Sequence, residues 1–336
     1  MENLHSFSDV LRDLPFANYC STGPVEYAFL WSMVIATLCF ALTKLTNEYS
    51  WVDRIWPLLP IGYGVHYLYH QQHCRQIPIA TRQIIMLTIT TLWGIKHTFN
   101  FARKGGFKSG GEDYRWSYIR QNYHWILVEL LNFFFIAYYQ IILIQWFATP
   151  IHFAHEKTFN FIDGILSVLL AVVLLTETIA DQQQWEFQST KYKLLAENGN
   201  NRDKLPPKYK LGFCVEGLWK YCRHPNFFCE ISLWWLLFFC SVNSVGLNWS
   251  GIGALLLNLL FFGSTALTEQ ISASKYPKYA LYQKTTPRLY PLPASGNLDF
   301  SKEDWWSWIC LDWGWIISYE VSIFSSWCRQ KQNAVI

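Results

Sequence analysis

The run "VEYAFLWSMVIATLCFALTKL", Val25 to Leu45, holds two charges in twenty-one residues. A hydrocarbon core about 30 Å thick is crossed by roughly 20 such residues wound as a helix. Six further segments have or approach this character. They are Ile55 to Gln71 (short, and broken by Pro57 and Pro60), Ile84 to Phe101, Trp125 to Ala148, Ile162 to Ala180, Phe227 to Val242 and Gly251 to Leu267. Backbone groups in lipid must be satisfied internally, which helices achieve within one segment. The pattern therefore predicts an all-α, polytopic helical membrane protein of about seven transmembrane helices. Charged residues make up only 15% of the chain, against roughly a quarter in soluble domains. The 18% of aromatic residues suits belts at the two membrane interfaces.

Seven crossings place the first, third and fifth connections and the C-terminal tail on one face. That face collects 22 of the 27 Lys and Arg residues; the other holds Arg12, Arg75, Arg82 and Lys157, and Lys96 lies within a span. The asymmetry puts the C-terminus on the cytoplasmic or matrix side; the expected membrane is that of the endoplasmic reticulum or the mitochondrial inner membrane. The expected organisation is an N-terminal tail over 1–24, a membrane domain over 25–295 and a tail over 296–336. Six Trp lie between Ser301 and Ile336. That tail suits the membrane interface or a partner within a membrane complex. A net charge of +3 gives nucleic-acid binding no support, and the N-terminus has neither a secretory nor a transit pattern. Nine Cys without a CxxC pair predict no disulfide framework and no metal site. The "NWS" sequon at Asn248 sits too close to two spans to be used.

Pro225 suits the first turn of the sixth span. Asn226, Glu230 and Trp234 then share one helical face. Arg223 and His224 stand at the positive end of that helix, a natural phosphate site. Along the fifth span Glu177, Asp181, Gln184 and Gln188 form a single stripe. The bland alternative is a polar clamp between the two helices. In "FNFARKGGFKSGGEDYRW", Phe99 to Trp116, two Gly pairs among Arg103, Lys104, Lys108 and Arg115 can cradle phosphates or simply obey topology. Tyr276, Tyr279 and Tyr282 follow the seventh span, as interface residues or as contacts to an adenine or phosphate. His66, His70 and His73 share one face, read as an interfacial polar surface rather than a metal site.

The motif "GLWKYCRHPNFFCEISLWW" resembles the helix entry of the steroid 5α-reductase-like membrane proteins. Further similarities are "SWVDRIWP", Ser50 to Pro57; the Asn100 to Trp116 loop; "ADQQQWEF", Ala180 to Phe187; "LTE" ending at Glu269; and "YPKYALYQ", Tyr276 to Gln283. The resemblance spans about residues 25 to 295. It implies C-terminal helices that cradle NADPH from the cytoplasmic side, for hydride transfer to a carbon–carbon double bond of a steroid or similar lipid enone. The implied cofactor residues are Asp181, Gln188, Arg223, His224, Asn226, Glu230, Tyr279 and Tyr282. No metal is implied. The expected partners are a lipid or steroid substrate and membrane lipids. The acid that polarises the enone is not placed; Glu48, Asp53, Tyr63, Tyr67 and Tyr69 are the candidates. Cys229 replaces a usual Gly, Cys222 a usual Ser and Lys96 a usual Arg. A second reading is therefore a non-catalytic subunit of a membrane complex that retains a nucleotide or lipid. A third is a methyltransferase, because isoprenylcysteine methyltransferases share a related Arg-His-Pro element; the Asn-Phe-Phe-x-Glu continuation suits a reductase better.

Overall fold

The computed structural model describes residues 19–291, and every regular element among them is helical. The Trp-rich tail lies outside the described residues. Helix α1 is Pro24–Thr46, α2 Trp51–Ile55, α3 Leu59–Cys74, α4 Thr81–Arg103, α5 Tyr114–Asn122 and α6 Trp125–Phe153. Then come α7 Phe161–Glu197, α8 Pro225–Val245, α9 Gly251–Lys275 and α10 Tyr279–Thr285. Among the described residues α1, α6, α7, α8 and α9 are long and apolar enough to cross a membrane. The segments expected as second and third spans form α3 and α4. The former has only 16 residues; the latter has 23 but carries Arg82, Gln83, Lys96, His97, Asn100 and Arg103.

The described residues divide into two compact units, the first running to Leu175 and including Ile231–Leu257, the second comprising Thr176–Glu230 and the chain from Asn258 onward.

In the first unit α1, α3, α4 and α6 run between the same two ends. At one end Cys20 and Cys74 form a disulfide, with Cα atoms 5.1 Å apart. The expectation of no disulfide is corrected here: the two cysteines are 54 residues apart in sequence, and only the return of α3 to the start of α1 brings them together. The α3 histidines reinforce that closure. His66 Nε2 donates to the Pro24 carbonyl at 2.9 Å, and its Nδ1 lies 3.0 Å from the Tyr19 hydroxyl. His70 Nε2 lies 3.1 Å from the Thr22 carbonyl, and His73 stacks on Tyr69. Gln145 of α6 donates to the Val25 carbonyl at this same end.

The opposite end is an ion-pair lattice. Lys44 and the Tyr49 hydroxyl both meet Glu129 of α6. Arg54 pairs with Glu48 and donates to the Gly106 carbonyl at 3.1 Å, while Gly110 N–H donates to Glu48. Between the ends, the Ser32 and Tyr63 hydroxyls are 2.7 Å apart, and Tyr67 is bonded to Thr149. Buried aromatics fill the middle: Trp234 packs edge-on to Trp93 and against Phe147.

Closing a loop of this length by the Cys20–Cys74 bond removes unfolded-state entropy worth about 4 kcal/mol in the chain-entropy model. Maleimide labelling of the denatured, unreduced protein should therefore leave both cysteines unmodified, and Cys20→Ser should expose Cys74 to the reagent. Labelling of both in the wild type would refute the pairing.

Candidate functional site

The second unit gathers the polar residues of three helix ends. α7 continues well past its apolar stretch, so the stripe predicted on it is a continuous helical face. Pro225 opens α8, as its missing N–H dictates. Asn226 Nδ2 donates to Asp181 Oδ1 at 3.2 Å, tying the first turn of α8 to α7. One turn deeper on each helix, buried Glu177 and Glu230 bring carboxylate oxygens within 4.8 Å of each other. Two acceptors in this region, Asn226 Oδ1 and Gln184 Oε1, are buried with no hydrogen-bond partner among the described residues. A buried amide oxygen left without a donor costs about 1–3 kcal/mol, so a ligand bearing N–H or O–H groups fits there.

Arg223 and His224 do something different from the phosphate grip expected of them. Arg223 donates Nε to Glu269 Oε1 at 2.7 Å and Nη2 to Oε2 at 3.1 Å. Its Nη1 serves the Gln283 and Thr286 carbonyls. His224 Nε2 lies 3.0 Å from Glu269 Oε1, and Gln283 Nε2 donates to Oε2 at 2.9 Å. The Arg223 and Glu269 side chains are each 2% exposed. The backbone joins in, because Arg223 N–H and His224 N–H donate to the Pro287 and Arg288 carbonyls. These two residues thus latch the entry of α8 to α9 and to the chain after α10, with their donors turned into protein. The Cys222 thiol contacts the Leu289 and Arg288 carbonyls at 3.0 and 3.3 Å, where a serine hydroxyl could sit equally well. Burial pushes that thiol up to about 12, so it stays protonated. Cys229, in place of the usual Gly, is buried.

Tyr279 and Tyr282 likewise face inward. Both rings pack on Phe213, and the Tyr282 hydroxyl donates to the Trp219 carbonyl. Trp219 in turn donates to the Ala180 carbonyl at 3.1 Å, and Gln183 accepts from Leu218 N–H, holding the "GLWK" turn on α7. Gln188 lies half-buried one turn short of Lys191 and Tyr192. Lys191 is a residue the sequence reading passed over. It is buried, and it sits three positions after Gln188 on the stripe already identified.

In the first unit the glycine-rich loop is not a phosphate cradle. The N–H groups of Gly105, Gly106, Lys108 and Gly111 all donate to nearby carbonyls, and Gly110 serves Glu48. Its glycines are needed for the turn itself: Gly105 and Gly110 have φ of +83° and +73°, and a Cβ on Gly111 would meet the Gly105 carbonyl at 2.2 Å. Of the candidate acids, Glu48 is engaged in this loop, and its bond to Gly110 holds its carboxyl below the ordinary range. Burial pushes Asp53 up, against the pull of Arg115. Tyr63 and Tyr67 are bonded inside the bundle, and Tyr69 is exposed at the disulfide end.

Residues 39–286 match the sequence profile of a family described as "Protein of unknown function (DUF1295)". An uncharacterized protein of Schizosaccharomyces pombe is 34% identical over 307 residues, covering 87% of each chain. No solved structure matches the chain.

Proposed function

We propose, on the premise that the chain belongs to the DUF1295 family, that it is an NADPH-dependent reductase of a carbon–carbon double bond in a steroid or other lipid enone. The observation that supports this most is the half-buried polar cluster of Asp181, Gln184 and Asn226, with buried Glu177 and Glu230 one turn deeper. When bound, the cofactor supplies the hydride. Asp181 fixes the Asn226 amide, so that Asn226 Oδ1 and Gln184 Oε1 can accept from amide or hydroxyl groups of the ligand. Glu177 and Glu230 line the site one turn deeper, with carboxylate oxygens within 4.8 Å of each other. Gln188 extends the same face toward water. Arg223, His224, Tyr279 and Tyr282 act on the cofactor indirectly, by fixing the entry of α8. No single acid is assigned to the enone oxygen.

The membrane arrangement follows the same reading. Seven crossings are reached by counting α3 and α4 with the five long apolar helices. Disulfides persist on oxidising faces. The Cys20–Cys74 end therefore faces the lumen or intermembrane space, and the basic end with Lys44, Arg54, Lys104 and Lys108 faces the cytoplasm or matrix.

A second reading, a non-catalytic subunit of a membrane complex, is favoured by one observation: the Arg-His pair is occupied by Glu269 and two backbone carbonyls. Titration of purified intact protein with NADPH separates the two. The reductase reading expects binding that Asn226→Ala weakens about tenfold, the scale of one to two hydrogen bonds, with the melting temperature held. Absence of NADPH binding to the intact protein would remove it. Recovery only within a stoichiometric complex, with no enone turned over, would establish the subunit.

A further inference from the structure

We propose that Lys191 and Arg202 form a binding site for a phosphomonoester at the water-facing end of α7. Lys191 is 4% exposed, and its ammonium donates to the Gly212 carbonyl at 2.9 Å. That bond accounts for one of its three protons. No described carboxylate pairs with it. Aromatic rings surround the charge instead, with centroids at 4.7 Å (Tyr192), 5.7 Å (Tyr276) and 5.9 Å (Phe187). The Arg202 guanidinium stands 5.3 Å from the centroid of the same Tyr276 ring, exposed and with no described carboxylate partner.

Burial together with the charges of Arg202 and Lys275 pushes the Lys191 ammonium down to about 8. A buried lysine beside a like charge is costly, and a strut to one carbonyl does not explain why the Arg202 guanidinium shares the Tyr276 ring with it. An anion does. Gly212, which accepts from Lys191, has φ +86°, and a Cβ there would lie 2.0 Å from the Tyr276 ring, so only glycine fits at this turn. A phosphomonoester brings close to two negative charges and three acceptor oxygens, suited to one guanidinium fork and one ammonium group. A carboxylate would bring only one charge. The position also fits a ligand that extends along the helix, because Lys191 lies ten residues past Asp181, about 15 Å along the axis.

Two sources share this chemistry: the ribose phosphate of NADPH, which rests on the reductase reading, and a lipid headgroup such as phosphatidic acid, which does not. The test uses intact protein in nanodiscs. NADPH and NADH are titrated, and retained phosphatidic acid is quantified by mass spectrometry. The variants are Arg202→Gln, which is exposed and should fold, Lys191→Met, and Lys193→Gln as an exposed control on the same helix. With a nucleotide, NADPH affinity falls at least tenfold in Arg202→Gln and Lys191→Met, NADH affinity stays within twofold, and Lys193→Gln is unaffected. With a lipid, nucleotide affinities hold but retained phosphatidic acid falls at least fivefold in Arg202→Gln. If the wild type binds neither nucleotide and lipid retention still depends on Arg202, the reductase reading fails and this site stands. Wild-type behaviour of Arg202→Gln toward both probes, or an equal loss in Lys193→Gln, would overturn it.

Discussion

Glu269→Ala should destabilise the protein by about 3–5 kcal/mol, the usual cost of breaking a buried ion pair from one side. The variant leaves the Arg223 guanidinium, 2% exposed, without either of its carboxylate bonds, and strips His224 and the nearby Arg288 of their shared partner. Fluorescence-detected size exclusion after a heating series is the measurement. Loss of the monodisperse peak well below the wild-type temperature is the expected outcome. Glu269→Gln keeps the shape and two acceptor lone pairs, so it should fall between the two. Removing both charges in Glu269→Ala with Arg223→Met should recover at least half the loss, because the stranded cation is gone. A double variant no more stable than Glu269→Ala would show that shape, not charge, holds the latch. The same reasoning makes Arg223→Ala a folding defect before it is a binding defect.

Asp163→Ala should cost a similar amount, about 3–5 kcal/mol. Arg82 donates Nε and Nη2 to the two Asp163 oxygens at 2.5 and 2.6 Å, and the side chains are 2% and 1% exposed. The remaining Arg82 nitrogen serves the Ala154 and Glu156 carbonyls, so the fork ties the start of α4 to both the end of α6 and the start of α7. Asn160 provides the contrast. Its side chain accepts from Ile162 and Asp163 N–H as an ordinary helix cap, and Asn160→Ala should cost only about 1 kcal/mol. Thermal curves that place the Asn160 and Asp163 variants together would show that the fork carries no special share of the stability.

The apolar runs were legible because lipid leaves a helix little choice. α1, α6, α8 and α9 contain the segments read from sequence, and Pro225 marks the start of α8 within the "RHPN" motif. The contact between Asp181 and Asn226 was also within reach, since both stand on stripes at helical spacing. What escaped was pairing over long sequence distances. Nothing local marks Glu269 as the partner of an arginine 46 positions away, so Arg223 and His224 looked free for a phosphate. Cys20 and Cys74 carry no spacing signal either; the bond depends on α3 returning to the start of α1. The glycine loop misled for a related reason. Its N–H groups look like a cradle in sequence, yet the turn they form uses them up. Lys191 hid among the basic residues that topology alone explains, and only its burial sets it apart.

α7 has 37 residues, and at 1.5 Å per residue it measures about 55 Å, nearly twice the hydrocarbon thickness. It therefore works as a ruler laid across two phases. Its apolar first half suits hydrocarbon, while the half that carries Lys191 and Tyr192 runs on beyond it. A helix graduated in this way joins an oil-soluble length to a water-soluble one along a single rigid axis.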